Sequence, residues 1–219
     1  MGEALATWDH YVVPSRDLEI AIRAQARHTP RITRFPLIGT DDNGEDILLL
    51  RPKRCIAVFD VSSRRDRILS KLVYPPSIVS AKWVIKFHED LAYCAKKIGC
   101  YLVVKQKREF SSSVHPKYRR FIQNMAEQDF VIFVNPRVAA ARVAAKCAVT
   151  VALPFSTPAV YGRALGKPSV FYDPTGKIAR HCTKFHDVPV ASGRESLLAW
   201  LENAIREGSL GKSDPDQLT

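Results

Sequence analysis

Short apolar runs alternate with segments of helical periodicity through most of this chain, and this alternation limits its possible folds more than any other feature. The runs read CIAVF at 55–59, CYLVV at 100–104, FVIFV at 130–134 and SVFY at 169–172, with a fifth strand predicted at 149–153. Runs without polar alternation are typical of strands that are covered on both faces. The pattern therefore predicts an α/β fold with a doubly wound parallel sheet of about five or six strands, built mainly from residues 53–207.

The segments between these runs carry apolar residues at the spacing of amphipathic helices. The predicted helices span residues 80–98, 115–128, 137–147, 157–165 and 195–207. Gly99 and Gly166 follow the first and fourth of them, where a glycine commonly ends a helix. Nearer the N-terminus, the pattern predicts a strand at 9–13, a helix from residue 16 to about 28, and extended chain at 32–38.

The chain is strongly basic. Its 33 Lys and Arg residues exceed its 22 Asp and Glu residues, which gives a net charge of +11. Such an excess favours an anionic partner, whether a nucleic acid, a phosphorylated metabolite or an anionic membrane surface. No signal peptide pattern is found, and basic residues interrupt the longest apolar stretch, 130–155. We therefore expect a cytoplasmic protein with reduced cysteines.

Ligands of doubly wound sheets bind at the carboxyl ends of the strands, where the strand order reverses. Ser62 and Ser63 follow the first run, and a basic segment comes next. These small hydroxyl residues suit phosphate or sugar contacts, but the same segment could be a solvated basic loop.

The end of the second run is more basic. Lys105, Lys107 and Arg108 follow it, and His115 then opens the next predicted helix. Side-chain charge combined with the N–H groups of a helix N-terminus makes an anion site. The alternative is a structural histidine beside exposed lysines.

Two further strand ends carry polar residues. Ser156 and Thr157 open the helix after 149–153, where a hydroxyl can cap the helix while its free N–H groups face the crevice. Asp173 ends the run at 169–172 and could hold a ribose or sugar hydroxyl, or could cap the Asp-Pro-Thr-Gly turn.

No cofactor or metal is predicted. The chain lacks both the G-x-G-x-x-G fingerprint and the Walker A pattern, which argues against a dinucleotide cofactor and against P-loop hydrolysis. Consecutive helical residues such as His88, Glu89 and Asp90 point in different directions and cannot share one ion. His181, Cys182 and His186 lack the spacing of a structural zinc site.

Three segments resemble a known family. VVKQKRE (103–109), HPKY (115–118) and PFSTPAVYGRALGKPSVFYDPTG (154–176) are similar to the C-terminal, donor-binding half of bacterial surface and capsular polysaccharide biosynthesis glycosyltransferases with the GT-B fold. Within this fold, the segments are similar to those of glycosyltransferases that use CMP-activated sugars of the Kdo and sialic acid type. The resemblance implies a Rossmann-like nucleotide-sugar-binding domain at 46–207. It also implies a remnant of an N-terminal half plus linker at 1–45. The residues at 208–219 are mostly polar and are expected to form a tail.

The same resemblance implies roles for individual residues. Lys105, Lys107 and His115 would face the donor phosphate, and Ser156 and Thr157 would lie at the adjacent helix N-terminus. A CMP-linked donor is favoured, with UDP- and GDP-linked donors as alternatives. By this resemblance, only the remnant at 1–45 represents the half that normally supplies the acceptor site and the catalytic base, so we assign no catalytic residue. The sequence is then expected to be a fragment, a donor-binding half that pairs with a second polypeptide, or a degenerate homologue.

Two rival interpretations remain open. The charge of +11 would suit a non-catalytic nucleic-acid-binding domain, but RNP aromatics, a GXXG loop, zinc-finger spacing and heptads are all missing from the sequence. A domain that only docks a partner is the second rival. The basic surface would also suit an enzyme in peripheral contact with the anionic inner face of a membrane.

Overall fold

The computed structural model describes residues 9–13, 16–26, 28–34, 54–61, 63, 79–107, 110–178 and 183–210. The candidate site residues Ser62 and Arg108, and the histidine and cysteine at 181 and 182, lie outside the described residues. The chain divides into two compact units, Met1–Gly39 and Thr40–Thr219.

The first unit contains a strand, a helix and a second strand. These are β1 (His10–Val13), α1 (Arg16–Gln25) and β2 (Arg31–Arg34). The two strands are parallel, and Tyr11 lies opposite Ile32. Burial alternates along β1, so this strand buries one face. The predicted order of elements in this part of the chain is confirmed.

The described residues of the second unit form seven strands and five helices. The strands are β3 (Cys55–Phe59), β4 (Tyr101–Lys105), β5 (Val131–Val134), β6 (Val149–Ala152), β7 (Ser169–Asp173), β8 (Lys184–Phe185) and β9 (Val188–Ser192). The helices are α2 (Ala81–Ile98), α3 (Pro116–Ala126), α4 (Ala140–Lys146), α5 (Thr157–Ala164) and α6 (Arg194–Leu210). As predicted, Gly99 ends α2 in the left-handed conformation.

The strands of the second unit form one sheet in the order β5-β4-β3-β6-β7-β9-β8. Every pairing is parallel except that of β8 with β9. From β3 the chain first adds β4 and β5 on one side, and then returns to add β6 on the other. The strand order therefore reverses between β3 and β6, and the predicted doubly wound α/β fold is confirmed.

The hairpin of β8 and β9 was not predicted. Its turn residues, His186 and Asp187, have φ angles of 50° and 60°. Two-residue hairpin turns with positive φ usually contain glycine, and this turn has none. Since β8 is only two residues long, it also leaves no periodicity to detect.

Helices cover both faces of the sheet. On one face, Phe87 of α2, Tyr118 of α3 and Leu197 of α6 pack against the strands. On the other face, Val143 of α4 and Ala159 of α5 do so. This two-sided burial explains why the strands read as apolar throughout. Within the part of the chain that is described, no helix has both the length and the hydropathy to cross a membrane.

Helix α5 packs unusually closely on the sheet. A β-carbon added at Gly162 would lie 2.5 Å from Ser169 Oγ and 2.6 Å from Thr150 Oγ1. Real β-carbons do not approach other atoms this closely, so glycine is required where α5 crosses β6 and β7. The close approach fixes the position of α5 against the strands that precede and follow it.

A buried carboxylate connects three elements of the second unit. Asp90 of α2 accepts hydrogen bonds from Lys86 Nζ at 2.6 Å, from Tyr172 Oη of β7 at 2.6 Å and from Arg194 Nε of α6 at 2.8 Å. Burial by itself would raise the pKa of Asp90, but the hydrogen bonds from these three side chains outweigh it and hold that pKa below its ordinary value.

Candidate functional site

The loop after β3 lies at the point where the strand order reverses. Ser63 is fully buried there, and its hydroxyl has no hydrogen-bond partner among the described residues. Its backbone carbonyl accepts a hydrogen bond of 2.9 Å from the N–H of His115. A buried hydroxyl without a partner costs about 1–3 kcal/mol, and such a group in a native fold calls for an explanation. The backbone bond brings two of the predicted site residues together.

His115 is the N-cap residue of α3, as the sequence predicted. Its Nδ1 accepts a hydrogen bond of 3.2 Å from the backbone N–H of Lys117. Pro116 occupies the first helical turn, where its missing N–H does no harm. Since Nδ1 accepts, the proton of the neutral ring is on Nε2, which leaves Nε2–H to donate elsewhere.

Asp60 connects the end of β3 to two helices. Its Oδ2 accepts a hydrogen bond from Tyr118 Oη of α3, and its Oδ1 lies 3.3 Å from Nε2 of His88 on α2. This separation is within ion-pair distance. Neither Asp60 Oδ1 nor His88 Nε2 makes a hydrogen bond within the described part of the chain. All three side chains are buried. This cluster holds the base of the Ser63 loop against the start of α3.

Lys105 ends β4 and is only 8% exposed. Its ammonium donates to the carbonyls of Gln106 at 3.0 Å and Pro136 at 2.9 Å, and burial lowers its pKa. Two of its three donors are thus engaged by the backbone, and one is left for a ligand. Lys107 lies two residues farther along and is exposed.

The loop between β6 and α5 has an unusual conformation. Phe155 has a φ of 63°, which bulky residues rarely adopt. Ser156 occupies the predicted N-cap position of α5, but its hydroxyl donates to Leu153 O at 2.6 Å and does not cap the helix. Thr157 is the first residue of α5 and is exposed. The N-terminal amides of α5 are therefore not satisfied by a capping side chain.

Asp173 has a local role at the end of β7. Its Oδ1 accepts hydrogen bonds from Thr175 N at 2.9 Å and Thr175 Oγ1 at 2.7 Å, and its Oδ2 accepts one from Ile178 N at 2.7 Å. The side chain is fully buried. Of the two roles that the sequence left open, the structure shows the turn cap.

On α2, the side chains of His88 and Asp90 contact different partners. His88 faces Asp60, while Asp90 faces Lys86 and Arg194. No three His, Cys, Asp or Glu side chains of the described ranges form a group that could hold a metal ion. The described cysteines Cys55, Cys94, Cys100 and Cys147 are buried thiols.

The comparison with protein families decides where the chain belongs. The model of the family described as "Polysaccharide biosynthesis PFTS motif protein" matches residues 1–201. The chain is a member of this family. Its single Pro-Phe pair begins the segment Pro154-Phe155-Ser156-Thr157, which has the four residue types of a PFTS motif with the last two exchanged.

One solved structure similar to this chain is that of E. coli heptosyltransferase WaaC with ADP-2-deoxy-2-fluoro heptose. The TM-score is 0.38, and the sequence identity is 17%. The match covers 73% of this chain and 45% of the heptosyltransferase chain. The PFTS motif protein therefore spans less than half of that structure's length. No curated protein matches the sequence.

Proposed function

We propose that this PFTS motif protein binds the nucleotide of an activated sugar at the carboxyl edge of its sheet, as the donor-binding part of a glycosyltransferase in polysaccharide biosynthesis. One observation carries the proposal. At the reversal between β3 and β6, the loop after β3 holds the unpartnered Ser63 hydroxyl beside His115, and the neighbouring β6 leads to a helix start without a side-chain cap. Both strand ends thus carry hydrogen-bonding groups that have no side-chain partner within the described ranges.

These groups suit an anionic phosphate. The N-terminal amides of α5 point out of the helix with the positive end of its dipole, and Thr157 adds an exposed hydroxyl. The Nε2–H of His115 can donate to a phosphate oxygen, because Nδ1 is already engaged by Lys117. The structure thus supports a phosphate contact for the residues that the resemblance assigns to one.

Two lysines add charge at the neighbouring strand end. Lys105 keeps one donor, and Lys107 is exposed. In sugar transfer the bond from the anomeric carbon to the donor phosphate breaks, and the phosphate leaves with its negative charge. Fixed positive charge stabilises that leaving group in the transition state. We propose leaving-group stabilisation as the contribution of Lys105 and Lys107.

We propose that the catalytic base lies outside the donor site. Both described carboxylates that end strands at this edge are engaged, Asp60 by Tyr118 and Asp173 by its own turn. We therefore propose that this protein binds the donor and that a second polypeptide completes the acceptor side. By the same resemblance, a CMP-linked donor is preferred to UDP- and GDP-linked donors.

Calorimetric titration of the protein with CMP, UDP and GDP tests this function, and we expect CMP to bind best. A ligand at about 100 times its Kd should add roughly 2.7 kcal/mol to the free energy of unfolding, a shift of several degrees in Tm for a chain of this length. If none of the three nucleotides binds or shifts Tm at millimolar concentration, the proposed function is wrong.

Variants locate the binding site. His115→Ala removes a hydrogen bond to a charged group, worth about 1.5–3 kcal/mol, and should weaken CMP binding by about ten- to a hundred-fold. Ser63→Ala should weaken it by a smaller factor. Thr150→Val is the matched control, because it also removes a buried hydroxyl without a partner but lies beneath Gly162. Equal losses in the Ser63 and Thr150 variants would contradict the site.

A further inference from the structure

Phosphate binding does not explain the exposed Phe155 at the carboxyl edge of the sheet. Its side chain is 49% exposed, and Tyr93 is the other exposed aromatic residue among those described. The Tyr93 ring is covered by the guanidinium of Arg194, which lies 4.6 Å from its centroid. No cation–π partner of this kind is found for Phe155 within the described ranges. Phe155 therefore presents an apolar ring to solvent at a strand end that otherwise offers polar groups.

The ring is also held in place. It packs edge-to-face against Phe185, with centroids 5.0 Å apart and an interplanar angle of 78°, and lies 6.2 Å from Phe171. The backbone beneath it has a φ of 63°, a conformation that costs a bulky residue about 1–3 kcal/mol. Strain of this size persists only where surrounding contacts determine the conformation. The orientation of the ring is thus fixed before any ligand arrives.

The position of the ring suggests what it contacts. Phe155 is two residues before Thr157, the first residue of α5, so the two are separated by at most about 7 Å of chain. A phosphate on the α5 amides would place the base of its nucleotide one ribose away, at about that distance. Ser63 lies on the neighbouring strand end, because β3 and β6 pair with Phe59 opposite Ala152.

We propose that the Phe155 ring is the platform on which the base of the bound nucleotide stacks. The inference rests on the proposed function and adds a residue that recognises the base apart from the phosphate. Stacking on an aromatic face is tolerant of base identity. Phe155 therefore contributes affinity for nucleotides in general, and discrimination between bases comes from other groups.

The test compares a ligand that has a base with one that has none. The full chain is titrated calorimetrically with CMP and with ribose 5-phosphate. Phe155→Asn removes the ring, while asparagine tolerates the positive φ better than most residues do. We expect this variant to lose about five- to 160-fold in CMP affinity, the range that corresponds to base–aromatic stacking, with unchanged affinity for ribose 5-phosphate. Phe155→Tyr should retain CMP affinity.

Tyr93→Asn is the matched control, since it removes the other exposed ring, and melting curves verify that each variant is folded. Equal losses for both ligands in Phe155→Asn would mean that the ring only shapes the loop, and would overturn the inference. Unchanged CMP affinity in that variant would overturn it as well. If the unaltered protein binds no nucleotide at all, the proposed function itself is wrong and the inference falls with it.

Discussion

Replacing Gly162 with alanine should lower the free energy of unfolding by about 1–3 kcal/mol, the usual cost of overpacking a core. The added methyl group would lie 2.5 Å from Ser169 Oγ and 2.8 Å from Thr150 Cβ. Both atoms belong to residues on central strands, which cannot move aside. Alanine is favoured over glycine in helices by up to about 1 kcal/mol. Because the cost of the clash is larger, the free energy of unfolding should fall and not rise. Chemical denaturation measures the change.

A double-mutant cycle tests the cause of that loss. Thr150→Ala removes the hydroxyl and methyl group that the new side chain would meet. It should therefore destabilise the Gly162→Ala protein less than it destabilises the unaltered one, or even stabilise it. A Gly162→Ala variant as stable as the unaltered protein would show that α5 does not lie as close to β6 and β7 as described.

The second large effect is expected at Asp90. Asp90→Asn removes the charge that accepts hydrogen bonds from Lys86, Tyr172 and Arg194, and should cost about 1.5–3 kcal/mol at neutral pH. The cost stays below that of breaking a fully buried ion pair, because Lys86 and Arg194 are partly exposed and can regain water. Denaturation at pH 7 measures it.

The pH dependence of stability tests whether the negative charge of Asp90 causes this loss. The folded-state pKa of Asp90 lies below its ordinary value of 3.8. The stability that the charged Asp90 contributes is therefore fully present above pH 3.8. It is lost as the pH falls below 3.8 and through the lower folded-state pKa. The stability difference between the unaltered protein and Asp90→Asn should shrink towards pH 3. Glu89→Gln, at the exposed neighbouring position, should show little difference at either pH. An Asp90 effect of equal size at pH 7 and pH 3 would contradict this account.

Local pattern was sufficient to predict the central fold. Strands such as β3 and β4 are covered on both faces, so their composition alone identifies them, and Gly99 marks the end of α2 by its left-handed conformation. The hairpin of β8 and β9 was missed because its turn at His186 and Asp187 contains no glycine and because β8 is only two residues long. The error is thus confined to the edge of the sheet.

The sequence predicts the strand ends that form the candidate site but not the directions of their side chains. Parallel topology dictates that the residues after β3, β4 and β6 share one edge, and this is visible in the sequence. The directions of their side chains depend on partners far along the chain or on loop geometry. Lys105 turns to the carbonyl of Pro136, and Ser156 turns back to Leu153. The contact of Asp60 with Tyr118 joins residues 58 positions apart, which no local pattern encodes.

The most direct test of the donor site is backbone hydrogen exchange measured with and without CMP. The account predicts slower exchange on CMP binding at the start of α5, around Thr157 and Ala159, and in the Ser63 and His115 segments. The far end of the same helix, at Gly166 and beyond, should be unchanged. Protection confined to that far end, or to the segment around Gly99 at the start of β4, would place the nucleotide at the opposite edge of the sheet and contradict the account.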